Sequence, residues 1–148
     1  MARAFKFRLE TLLEVRKLRE DQAKRDLALA RKQVLEQNQK LLGILNEEDA
    51  GKKDLRAMKQ KELSLTHLRL QEGYLNFLER RIRQEYDRLQ KMVKAELERR
   101  RALTEAMKGV RILEKLRDRQ RRAYQYDMDR QEQKFLDEMA QRGASEES

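Results

Sequence analysis

The feature that most limits this chain is a 4-then-3 spacing running from Leu9 through Leu13, Arg16, Glu20, Ala23, Leu27, Ala30, Val34, Gln37, Leu41, Ile44 and Glu48. Eight of these twelve positions are apolar, which is the pattern of a heptad seam on a helix that pairs with another helix. A second seam passes Leu68, Leu75, Ile82, Tyr86, Leu89, Val93, Leu103, Met107 and Val110, with Leu113 and Leu116 beside its continuation. Pro is absent, Gly occurs five times and 43% of residues are charged, so nothing interrupts the two segments and little apolar material is left for a globular core. The expected fold is all-α, with two long helices.

Between the seams the spacing weakens across "NEEDAGKKD" and breaks at "KELSLTHLRL". Ser64 and Thr66 are the N-cap candidates there, because a hydroxyl oxygen accepts from the free N–H groups of a starting helix. A turn at about residues 62–66 then separates a helix over about 5–61 from one over about 67–141; a longer loop opening at Gly51 is the alternative. A short turn between two long amphipathic helices makes an antiparallel coiled-coil hairpin, since the apolar stripes meet only if the chain doubles back.

With that turn, opposing residue numbers sum to about 130. The layers are Ala23 with Met107, Leu27 with Leu103, Leu41 with Leu89, Ile44 with Tyr86, and Leu55 with Leu75, while Arg16 faces Glu114. Ala30 meets Arg100 and Val34 meets Glu96, which predicts loose packing in the middle. Phe5 falls near Tyr124 and Tyr126, and beyond about Met128 helix two overhangs helix one. Residues 1–142 read as a single coiled-coil domain and 143–148, "GASEES", as a disordered tail with Gly143 at the C′ position.

The absence of Cys excludes a disulfide framework and thiolate metal sites. No apolar run reaches the ~18–20 residues of a membrane span, and Glu10 and Glu14 interrupt the basic start that a transit peptide would need. A cytosolic or peripheral location is expected, without direct membrane insertion. The net charge is +9 with both signs interleaved, as on a solvated coiled-coil surface.

Enzyme chemistry has little to draw on. His67 is the one histidine, the carboxylates alternate with Lys and Arg at i,i+4 spacing, and no Gly-rich phosphate loop exists. No catalytic activity, cofactor or metal is expected.

Three patches stand out. The first is "FKFRLETLLEVRKLRE", where Phe5, Phe7 and Leu9 alternate with Lys6 and Arg8, either as an aromatic clamp against fraying or as a grip for a partner. In the second, "LEKLRDRQRRAYQY", residues 111–122 carry six bases against two acids. Glu114 and Asp118 interrupt that run, which favours protein contact over nucleic acid or a membrane surface. In the third, residues 127–148 carry three bases against seven acids. Met128, Phe135, Leu136 and Met139 have no helix-one residue to cover them there, which implies a partner, fraying or self-association.

The motifs "FxFRLExLLxxR", "LExLRDRQRxxY" and "RQEQKxLDExAQR" closely resemble the FliJ family of the bacterial flagellar type III export apparatus. The resemblance spans nearly the whole length; in the middle it is that of a generic coiled coil. It implies an antiparallel coiled coil like that of the rotary ATP synthase gamma subunit, non-enzymatic and monomeric when free. Its terminal end would act as a central stalk in the hexameric flagellar export ATPase, promoting assembly and activity. Another part would meet the cytoplasmic domain of the export gate at the flagellar base, and the family also implies handling of export chaperones. The ATPase contact implied on this chain comprises Phe5, Phe7, Arg8, Leu9, Leu12, Leu13, Arg16, Leu113, Leu116, Arg117, Arg119, Tyr124, Lys134, Asp137 and Glu138. The gate contact implied comprises Leu42, Leu45, Tyr74 and Leu78. The competing readings are a structural or scaffolding coiled-coil homodimer and, behind it, a basic nucleic-acid-binding helix protein.

Overall fold

The computed structural model describes residues 4–61 and 64–147, with the side chain of residue 147 left aside. Two helices, α1 (Glu10–Gln60) and α2 (Leu65–Glu147), pack against each other as a hairpin, and no strand occurs among the described residues. At 51 and 83 residues, α2 is much the longer. Where the sequence suggests one domain over 1–142, the chain divides into two compact units, Met1–Gln22 with Thr104–Ser148 (unit 1) and Ala23–Leu103 (unit 2).

All twelve α1 seam positions are buried or half-buried, including the polar Arg16, Glu20, Gln37 and Glu48. The α2 seam departs from expectation. Tyr86, Val93 and Met107 are exposed, and the buried stripe instead passes Leu75, Leu78, Ile82, Glu85, Leu89, Met92, Glu96, Leu103, Ala106, Val110 and Leu113. The 3-then-4 spacing holds except at position 99, where Arg99 is exposed, and carboxylates hold two of its positions. Between Glu85 and Val110, α2 contributes no fully buried side chain, while Leu27, Ala30 and Gln37 of α1 are buried.

In unit 2 the register differs by about one helical turn, ~3.6 residues. A Cβ built on Gly51 would lie 2.8 Å from Leu75 Cδ2, so Leu75 packs on Gly51, one turn before the expected Leu55. Glu96 pairs with Arg31 at 3.6 Å, about one turn before the expected Val34. The cause is the position of the turn: α1 ends at Gln60 and α2 starts at Leu65, ahead of the expected 67. Ser64 caps α2, its carbonyl and hydroxyl oxygens accepting from His67 N–H at 3.1 and 3.4 Å. Thr66 lies within the first turn. Residues 62 and 63 of the expected turn lie outside the described residues. The loop alternative at Gly51 does not occur, because the missing side chain there admits Leu75, and Gln71 Nε2 donates to the Gly51 carbonyl at 3.0 Å.

In unit 1, α1 begins at Glu10 and not near residue 5. Residues 4–7 lack regular structure and residues 8 and 9 form a turn, closed by Glu10 N–H donating to Phe7 O at 3.2 Å. Along this strap burial alternates: Phe5 half-buried, Lys6 exposed, Phe7 buried, Arg8 exposed, Leu9 half-buried. A period of two belongs to extended chain and cannot be met by a helix. At the other end, α2 continues to Glu147, past the expected 141 and through the segment expected to be disordered. Gly143 does not take the left-handed conformation of a C′ glycine. No Pro follows it, and Ser145 Oγ donates to Arg142 O at 3.1 Å within the helix.

Candidate protein-contact surfaces

The residues implied for ATPase contact separate by depth. Phe7, Leu13 and Leu113 form a buried cluster with Val110, and Phe5, Leu9 and Leu116 pack against it. Leu13 is 0% exposed. Arg16, Arg117 and Tyr124 are half-buried, while Arg8, Leu12, Arg119, Lys134, Asp137 and Glu138 are exposed. The set is therefore brought together only in part: one group holds unit 1 together and the other faces outward.

The half-buried cations serve the packing. Arg16 Nη1 donates to the Gly109 carbonyl at 3.2 Å, and Lys17, not Arg16, reaches Glu114 at 3.9 Å. Arg117 pairs with Glu10 at 3.7 Å. The Phe5 and Tyr124 ring centroids are 5.7 Å apart and tilted, and Arg121 Cζ lies 5.7 Å from the Phe5 centroid. The expected Phe5–Tyr124 neighbourhood is present, while Tyr126 is exposed beneath Arg130. Arg117 Nε and Tyr124 Oη are buried without a hydrogen-bond partner, next to the strap.

The residues implied for gate contact also separate. Leu42, Leu45 and Tyr74 are exposed, whereas Leu78 is 1% exposed and belongs to the unit 2 interior. Leu70 and Phe77 are exposed too and stand at i−4 and i+3 from Tyr74, making one apolar stripe on α2. Sequence reasoning missed both, although the i, i+4, i+7 spacing of Leu70, Tyr74 and Phe77 would have found them.

A buried polar layer lies in the same unit. Gln37 Nε2 donates to the Glu85 carbonyl at 3.0 Å and to Glu85 Oε2 at 2.6 Å. Lys40 and Arg88 reach Glu85 Oε1 at 3.3 and 3.2 Å. The Gln37 hydrogen bond, followed by Lys40 and Arg88, holds the Glu85 carboxyl below its ordinary value of 4.5 against the opposing effect of burial. A depressed carboxyl adds stability that is present above its unfolded pKa and is lost as pH falls through the folded one. Thermal melting from pH 6 downward is expected to show a loss below about pH 4.5 that Glu85→Gln reduces.

Among the described residues no cluster of His, Cys, Asp and Glu is suited to a metal, and no helix is long and apolar enough to cross a membrane. The fold and its surfaces define a coiled-coil hairpin with exposed charged and apolar stripes. The chain belongs to the FliJ family: the family model described as "Flagellar FliJ protein" matches residues 5–148. It is thus a component of the flagellar protein export apparatus, in a family that is not catalytic. Searches of curated proteins and of solved structures gave no match.

Proposed function

We propose that the chain is a non-enzymatic central stalk for the hexameric flagellar export ATPase, promoting its assembly and activity and linking it to the cytoplasmic domain of the export gate. The observation that carries this reading is the separation within unit 1, where exposed Arg8, Leu12 and Arg119 surround a core of Phe7, Leu13 and Leu113 that holds them in place. Lys134, Asp137 and Glu138 extend the contact along α2. The gate contact uses Leu42, Leu45 and Tyr74, joined by Leu70 and Phe77. The protein is monomeric when free, acts peripherally at the inner membrane beneath the flagellum, and also handles export chaperones. Mixed surface charge suits exchange between subunits of a ring, since exposed ion pairs contribute only ~0–1 kcal/mol each.

The test is hydrolysis by the purified cognate ATPase with stoichiometric amounts of this protein. Wild type is expected to raise the rate while hydrolysing nothing alone, and Leu12→Ala with Arg119→Glu to lower the stimulation at unchanged helicity. No stimulation by wild type would overturn the reading.

A further inference from the structure

We propose that the α2 face at Met128, Glu132 and Phe135 is a docking groove for an extended segment of a partner protein, in which large apolar or aromatic residues alternate with Lys or Arg. The proposal deepens the ATPase reading and rests on it for the identity of the partner, though not for the chemistry of the groove.

Three observations carry it. The first is continuity. The strap shows how this helix is covered, with an alternating aromatic and basic segment laying Phe5 and Phe7 on α2 and turning Lys6 and Arg8 outward. Beside Ala4 and Phe5 a cavity opens whose walls include Tyr124, Met128, Glu132 and Phe135. Met128 and Phe135 follow Tyr124 at heptad spacing, so the covered stripe and the uncovered one are the same stripe.

The second is exposure. Phe135, Leu136 and Met139 are 60%, 54% and 53% exposed, and every described side chain from residue 129 to 146 is exposed. Neighbouring apolar side chains left in water on one helix favour a partner that removes them from it.

The third is charge. Residues 127–139 hold five acids against two bases in a chain of net charge +9. Several carboxylates elsewhere on the helices pair with a cation one turn away, as Glu48 does with Lys52, Asp49 with Lys53 and Glu79 with Arg83. Here neutral side chains donate: Gln125 Nε2 to Asp129 at 3.0 Å and Gln133 Nε2 to Asp137 at 3.2 Å. Glutamine orients a carboxylate and leaves its charge for an incoming cation; Asp129 and Glu132 line the groove with a single base, Arg121, which lies over the Phe5 ring, so the groove favours a basic segment over an acidic one.

The experiment titrates the full chain with a labelled, end-blocked peptide of residues 4–9, AFKFRL, and with its charge-reversed counterpart AFEFEL, following fluorescence anisotropy. Saturable binding of the basic peptide is expected, about tenfold tighter than the acidic one and weakening with salt. Met128→Ala with Phe135→Ala, and separately Asp129→Asn with Glu132→Gln, are each expected to weaken it about fivefold or more without loss of helicity. Equal affinity for both peptides overturns the proposal. So does binding indifferent to all four substitutions, because the peptide would then be exchanging with the strap. Concentration-dependent self-association in sedimentation, abolished by Phe135→Ala, overturns it in favour of a second copy. Loss of peptide binding with ATPase stimulation intact removes the groove alone, whereas peptide binding without stimulation upholds the groove and removes the ATPase reading.

Discussion

Replacing Leu13 with Ala is expected to destabilise the protein by about 2–5 kcal/mol, read from chemical denaturation. Leu13 is 0% exposed and sits in the one buried cluster that ties α1, α2 and the strap together. Removing its branched end leaves a cavity bounded by Phe7, Val110 and Leu113, which neighbouring backbone fixed in two helices cannot readily close. Against a total stability of about 5–15 kcal/mol for an ordinary domain, that loss is large. Leu12, one residue away and 39% exposed, provides the contrast. Leu12→Ala is expected to change stability by less than about 1 kcal/mol while lowering ATPase stimulation. If Leu12→Ala unfolds unit 1 as far as Leu13→Ala does, the assignment of one to contact and the other to core fails.

Leu78→Ala is expected to produce a loss of the same order in unit 2, about 2–5 kcal/mol, because Leu78 is 1% exposed. The double replacement Tyr74→Ala and Phe77→Ala removes more apolar surface, yet from the outside. It is expected to leave the melting temperature nearly unchanged and to weaken binding to the gate's cytoplasmic domain about tenfold, roughly 1.4 kcal/mol. Gate binding that survives the double replacement but disappears with folded Leu78→Ala would reverse the two roles.

The α1 stripe was fully legible in the sequence because its polar members are few and its heptad phase never shifts. On α2 the apolar spacing points to Tyr86 and Val93, whereas the buried positions are their neighbours Glu85 and Met92. The protein buries Glu85 because Gln37, Lys40 and Arg88 all converge on it, and none of those partners can be known before the helices are aligned. The register error has a similar origin: with residues 64 and 66 both able to cap, the turn was centred too far along the chain, and every opposing pair moved with it. The strap is the reverse case. Its period of two was plain in "FKFRL", but an extended segment with no sheet to join is not an expected element, so helix was extended over it. Depth within the contact surfaces is legible on α1, where the seam takes Leu13 and leaves Leu12 outside, but not on α2, where neither Phe77 nor Leu78 falls on the expected seam.

The layer built on Gln37 and Glu85 has a mechanical consequence. A helix pair held only by leucine can creep lengthwise, since one apolar knob fits its neighbour's hole almost as well as its own. Here a slip by one heptad, seven residues, would carry the Glu85 carboxylate from Gln37 to apolar Ala30 or Ile44, where it would lose its α1 partners Gln37 and Lys40 and keep only Arg88 of its own helix. The pair thus has a detent at this one position. A pull or twist delivered to one helix of unit 2 meets resistance to shear there and passes to both helices together.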